Sequence, residues 1–300
     1  MKQDSLIGRT IAGYRLLEHV GEGGTAEVYR ADHAELGPSA VKILRNRLAQ
    51  DPVAVKRFLR EAEFGQRIQH PNIVQTRDFG QVDDLYYLAL EWAAGEPLAT
   101  FAAKAGTLAP AVVAEVVEQL GRALAAAHAE GIIHRDLKPA NIMYDPATQR
   151  AKLLDFGIAR DENAAPEERL TRAGFFVGTL QYVAPETLSG ELVSEQADVY
   201  SLAVITYYLL TGTHPFPGRS PRELFQQLLQ DPPVPINQAV RGLKFSSELE
   251  AVVMRGLERD RSKRYASVDD YATAFCTAAR SADRAKRRGL FSGLFRRDAT

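Results

Sequence analysis

The sequence predicts an α+β fold in two lobes, a β-rich N-terminal lobe with one main helix followed by a mostly helical C-terminal lobe. Up to about residue 91, short runs rich in β-branched and aromatic residues are broken by Gly, Asp or Pro, the pattern of strands and turns. Beyond Pro97 the apolar residues recur at spacings of three and four, the pattern of helices with one buried face. Hydrophobic residues make up 45% of the 300 positions, enough to fill a core in each lobe.

After a leading segment, residues 1–13, the strands read as "YRLLEHVG", "AEVYRAD", "SAVKIL", "IVQTRDFGQ" and "LYYLALEW". One helix interrupts them from about Asp51 to Gln69, with Asp51 as N-cap and Pro52 at the first helical position. The N-terminal lobe spans about 14–91 and the C-terminal lobe about 97–279, leaving a cleft near 91–97 where a ligand is favoured. In the second lobe Val113, Val116, Val117, Leu120 and Leu124 form a core-facing stripe, and similar stripes follow at 195–211, 221–230, 246–257 and 267–279. The irregular stretch "DENAAPEERLTRAGFFVGTLQYVAPE" is long enough to suggest a functional loop.

The formal charge of −1 conceals an asymmetry. Residues 280–300 carry seven Lys and Arg against two Asp, which leaves the first 279 residues at −6. Nucleic acid is therefore not an expected partner of the body. In the tail, Leu290, Phe291, Leu294 and Phe295 would share a helical face ringed by basic residues, a pattern suited to an anionic membrane surface, although Gly289 and Gly293 weaken such a helix and favour a solvated tail. Cys276 stands alone, so no intrachain disulfide forms and a reducing compartment is expected. The N-terminus shows no signal-peptide pattern. The longest apolar stretch, Leu202 to Leu210, is too short to span a bilayer. A cytoplasmic protein is expected, peripheral at the inner membrane face if the tail binds.

The chemistry concentrates in "GIIHRDLKPANIMYD", residues 131–145, where His134, Arg135, Asp136, Lys138 and Asn141 sit in an apolar frame. Ionisable groups entering a core need partners or a task. Asp136 can orient a hydroxyl and take its proton. Asn141 and Asp155 of "LLDFGIAR" offer hard oxygens to magnesium. Lys138 can neutralise charge on a phosphoryl group in transfer. In "VGEGGTAEVYRA", which begins at Val20, Gly21, Gly23 and Gly24 let backbone N–H groups approach an anion, although an ordinary hairpin turn fits the same residues. A dinucleotide fingerprint is not expected, because a strand rather than a helix follows. Lys42 lies mid-strand among apolar neighbours and needs an anionic partner, for which Glu61 is the natural candidate.

Taken in order over residues 14–279, these features resemble a protein kinase: the Gly-rich loop with Val28, then Ala40, Lys42 and Glu61, "HRDLKPAN", "DFG", "APE" at 184–186 and "DVYSLA" at 198–203. The resemblance is to the bacterial eukaryotic-like (Hanks-type) serine/threonine class, pointed to by Lys138 and by Thr179 in "GTLQY". It implies the bilobal protein-kinase fold, ATP with Mg2+ or Mn2+, and protein substrates, and the roles given above to Asp136, Lys138, Asn141 and Asp155 are carried over from it by matching. It further implies that Val20, Gly21, Gly23, Gly24, Val28, Ala40, Lys42, Glu61, Glu91, Ala93 and Met143 bind ATP, with the Glu91–Ala93 backbone on adenine. By the same resemblance Thr179 contacts Asp136 and Lys138 at the substrate-docking side, and Asp198 holds the catalytic loop backbone. Glu186 pairs with Arg264, and His134 packs. Arg135 before Asp136 implies control by a phosphate in the loop, for which Thr171 is the candidate.

Two positions depart from the family pattern. Ala26 replaces the third loop glycine. Gly65 stands where an apolar side chain usually packs against Phe156, which predicts a gap, a loosely docked Glu61 helix, and a role for an N-lobe homodimer in holding it. A pseudokinase scaffold would typically lack Lys42, Asp136, Asn141 or Asp155, and all four are present. A small-molecule phosphotransferase of related fold would generally lack the "DFG…APE" segment.

Overall fold

The computed structural model describes residues 6–154, 180–188 and 193–294, with side chains as far as 281. Six strands form the N-terminal sheet: β1 (Thr10–Ile11), β2 (Tyr14–Glu22), β3 (Ala26–His33), β4 (Gly37–Leu44), β5 (Thr76–Val82) and β6 (Leu85–Glu91). Their order is β1-β2-β3-β4-β6-β5, with antiparallel pairing throughout. The five expected strands are all present, within a few residues at each end. Between β4 and β5 lie a single turn, α1 (Asn46–Ala49), and the main helix α2 (Pro52–Arg67).

Alternation along β4 sets up the cleft. Val41 and Ile43 point to one face, into a cluster with Tyr14, Leu16, Tyr29, Leu85 and Tyr87. Ala40, Lys42 and Leu44 point to the other, toward α2, where Phe58 and Ala62 pack with Leu44, Val74, Leu88 and Leu90. The helix is fixed at its start by Asp51, whose Oδ1 accepts from the Val53 N–H at 2.9 Å.

At Gly65 the structure corrects the sequence expectation. No gap is left there: the residue is buried, and a Cβ built on it would lie 2.3 Å from Thr76 Oγ1 and 3.4 Å from Thr76 Cβ. Thr76 of β5 fills the volume that a side chain at 65 would take. Glycine costs about 1 kcal/mol of helix propensity here, but it is what allows α2 to approach the sheet, and Lys42 and Glu61 are paired.

The C-terminal lobe is built on α3 (Leu98–Ala105), α4 (Pro110–Ala129), α5 (Pro185–Leu188), α6 (Glu195–Thr211), α7 (Pro221–Gln230), α8 (Ile236–Ala239), α9 (Ser247–Gly256) and α10 (Val268–Leu294). Nearly every residue of α6 from Ala197 to Thr211 is buried, which explains an apolar run with no polar face. A small sheet of β7 (Glu96–Pro97), β8 (Ile142–Asp145) and β9 (Arg150–Leu153) lies beside the cleft. The backbone of α10 crosses the expected boundary at 279/280 without a break, and Arg280 donates to Glu118 Oε2 on α4 at 3.0 Å. Among the described residues, no helix is long and apolar enough to cross a membrane.

Candidate active site

The loop from His134 to Asn141 brings the predicted side chains together at the cleft. Asp136 Oδ2 accepts from Lys138 Nζ at 2.8 Å and from Asn141 Nδ2 at 3.0 Å. Asn141 Nδ2 also donates to the Asp136 carbonyl at 2.9 Å. With both amide protons directed at Asp136, the Asn141 carbonyl Oδ1 is the atom left to meet a hard cation, so this residue fits the ligand role. A short 3-10 turn, Pro139–Asn141, carries Asn141 from the loop into β8, and the Leu154 N–H donates to the Asn141 carbonyl at 2.9 Å. Asp155 lies outside the described residues. Among the described residues, no cluster of three His, Cys, Asp or Glu could hold a metal by itself.

The loop is supported from behind by α6. Asp198, 1% exposed, accepts from the His134 N–H at 2.8 Å and the Arg135 N–H at 3.1 Å. Its Oδ2 also meets His128 Nε2 at 2.8 Å. These bonds hold Arg135 at φ 63°, a left-handed conformation that a non-glycine residue adopts at a cost unless its surroundings fix it. The Asp136 N–H donates to the His134 carbonyl at 2.8 Å, closing the turn. His134 is fully buried, in keeping with its structural reading. His128 was not singled out from the sequence; its signal was a histidine in the last turn of the stripe-bearing helix, one residue type among many.

Across the cleft, Lys42 Nζ meets Glu61 Oε1 at 3.1 Å. Lys42 pairs in register with Val28 on β3 and Leu88 on β6, so it extends from the middle of the sheet. Val28, Ala40, Ala93 and Met143 are all half-buried at the cleft, and Ala40 pairs with Leu90 just before the interlobe connection. Val20 is 43% exposed at the end of β2, beside the loop of Gly21, Gly23 and Gly24. The Glu91 side chain accepts from the Gln75 N–H at 3.1 Å and pairs with Lys152, and the Glu91 N–H donates to the Gln75 carbonyl at 2.9 Å.

Glu186 and Arg264 form the expected buried pair, with two parallel bonds of 2.7 and 2.8 Å. Tyr182, just before them, is buried and bonded to His214 Nε2 at 3.0 Å. Burial pushes the Tyr182 hydroxyl up, and it pushes His214 down to about 4. Thr171, Thr179 and Phe156 lie outside the described residues.

Residues 14–276 match the family described as the protein kinase domain. The chain is 37% identical over 292 residues to the serine/threonine-protein kinase pkn3 of Myxococcus xanthus, covering 95% of this chain and 53% of that one. It is also 37% identical over 273 residues to the serine/threonine-protein kinase PknH of Mycobacterium tuberculosis, covering 91% and 43%. The chain thus spans about half the length of these curated relatives. Among solved structures, the Mycobacterium tuberculosis PknI kinase domain matches with a TM-score of 0.69 at 29% identity, covering 91% of this chain and 98% of that one. Rad53 1–466 in complex with AMP-PNP matches with a TM-score of 0.72 at 29% identity, covering 88% and 65%.

Proposed function

The chain belongs to the protein kinase domain family, and from that premise we propose that it is an ATP-dependent protein serine/threonine kinase. The observation that carries the proposal is the Asp136 carboxylate, held between Lys138 and Asn141 on a loop whose backbone Asp198 fixes. The substrate hydroxyl gives its proton to Asp136 as its oxygen bonds to the γ-phosphorus, and the bond from that phosphorus to the β,γ-bridging oxygen breaks, leaving ADP. Lys138 balances charge on the transferred group. Lys42, placed by Glu61, holds the phosphates, while the Glu91 and Ala93 backbone takes adenine between Val28, Ala40 and Met143. A divalent cation, Mg2+ or Mn2+, neutralises the phosphates when bound; Asn141 and Asp155 would hold it.

The test is transfer from labelled ATP to the protein itself and to a generic basic protein. Asp136→Asn lowers transfer by about 10²–10⁴-fold while ATP affinity stays within about twofold, because the carboxylate acts on the hydroxyl. Wild-type protein that labels nothing, or an Asn variant at full rate, overturns the reading. Label on a small molecule alone identifies a small-molecule phosphotransferase instead.

Finer assignments rest on the resemblance. Thr171 is the proposed loop phosphosite and Arg135 its partner, and Thr179 is proposed to contact Asp136 and Lys138; Thr171→Ala slows transfer to an external substrate. An N-lobe homodimer predicts specific activity that rises with concentration. Binding of the tail to an anionic membrane surface predicts cosedimentation with anionic liposomes that is lost on removing residues 280–300.

A further inference from the structure

The segment that follows the Lys42 strand grips the glycine-rich loop at four consecutive residues. Arg45 Nη2 pairs with Glu22 Oε2 at 2.7 Å, and Arg45 Nε donates to the Gly23 carbonyl at 3.1 Å. Arg47 Nη2 donates to the Gly24 carbonyl at 3.2 Å. The Arg45 N–H donates to the Thr25 carbonyl at 2.9 Å, and the Gly23 N–H closes the turn on the Ala26 carbonyl at 2.8 Å.

These contacts fix which way the peptide planes face. Across a trans peptide, the carbonyl of one residue and the N–H of the next point in opposite directions. Holding the Gly23 and Gly24 carbonyls against the arginines therefore turns the Gly24 and Thr25 N–H groups to the opposite side of the loop. Among the described residues, neither N–H makes a hydrogen bond. Two oriented, unpaired donors in a glycine turn are an anion-binding arrangement. The loop also carries a carboxylate, Glu22, of the wrong charge to sit near phosphates, and Arg45 pairs with it.

We propose that Arg45 and Arg47 are positioning residues for the nucleotide. They aim the Gly24 and Thr25 N–H groups at the polyphosphate, and Arg45 also cancels the charge of Glu22. The proposal deepens the kinase reading and rests on it. Glu22 is half exposed, with 52% of its side chain accessible, so its charge is screened and orientation is the larger effect.

Titration calorimetry of the full chain with adenosine, ADP and ATP in the presence of Mg2+ separates the effects. In Arg45→Ala, ADP and ATP bind about tenfold more weakly, and in Arg47→Ala about threefold, the scale of one or two orienting bonds at a charged ligand. Adenosine, which has no phosphate, binds all three proteins equally; this shows that the variants are folded and the base pocket intact. In Glu22→Gln/Arg45→Ala, about threefold of the loss returns, the part due to charge. Equal ATP affinity in wild type and Arg45→Ala overturns the proposal, as does a loss shared by adenosine and ATP. Full recovery in the double variant also overturns it, since charge alone would then explain Arg45. A wild-type protein that binds adenosine but neither nucleotide refutes the kinase reading, a result distinct from all of these.

Discussion

Asp198 in the C-terminal lobe and Glu61 in the N-terminal lobe both anchor a group assigned to the proposed phosphoryl transfer, but in different surroundings. Asp198 is 1% exposed on a helix buried on all sides, and it meets two backbone N–H groups and a histidine. Glu61 reaches Lys42 from a helix packed on one face of a sheet, with side-chain exposures of 19% and 11% for the pair. The hydrophobic residues divide in the same way. One continuous core runs through the C-terminal lobe, whereas the N-terminal sheet separates two smaller clusters. The lobe with the proposed base is thus built to keep one arrangement, and the lobe with the proposed phosphate-binding lysine is joined by contacts that water can reach and that can be remade at little cost.

Four measurements test this contrast. Arg264→Met breaks the buried two-bond pair with Glu186 and destabilises the protein by about 3–5 kcal/mol, read from urea unfolding; a loss below about 1 kcal/mol would show the C-terminal lobe no firmer than the other. His214 makes that lobe acid-sensitive. Its folded pKa of about 4 lies below the unfolded value of 6.5, so its contribution is complete above pH 6.5 and fades as pH falls toward 4. Stability declines by up to about 3 kcal/mol over that window, and His214→Asn flattens the profile. Gly65→Ala forces its Cβ against Thr76 and costs about 1–3 kcal/mol, recovered in part by Thr76→Ala; unchanged melting would remove the close approach of α2 to β5. Lys42→Met closes the series, costing under about 1 kcal/mol of stability while transfer falls by orders of magnitude. A large loss of stability there would mean that the pair supports the fold.

The elements legible in the sequence were those whose cause is local. Asp51 and Pro52 mark a helix start by themselves, and α6 and α7 begin and end at the expected residues, each with a serine N-cap directly before it; the one-sided stripe expected for α6 is instead a helix buried on all sides. The two- and four-residue strands β7, β8 and β9 were not legible: Glu96 pairs with Tyr144 and Ile142 with Leu153, partners set by tertiary placement in segments too short for a period. The side chains proposed for catalysis were picked out because their residue types and order resemble the motifs of the family. Gly65 was misread because the side chain that fills its space, Thr76, lies on a different element, and an absent Cβ does not reveal what took its place. Arg45 and Arg47 carried a signal that went unused: "KILRNR" leaves a strand paired with the glycine-rich strand, so its basic residues must emerge beside that turn.

The bonds from Asp198 to the loop backbone also bear on how the protein is made. Residues 134–141, with Asp136, Lys138 and Asn141, leave the ribosome well before Asp198, and Arg264 emerges later still. Until α6 has been synthesised and folded behind the loop, the two bonds from Asp198 to the His134 and Arg135 N–H groups, which support the left-handed Arg135, are missing. A growing chain therefore carries the side chains of this loop before it carries the buried aspartate that braces their backbone.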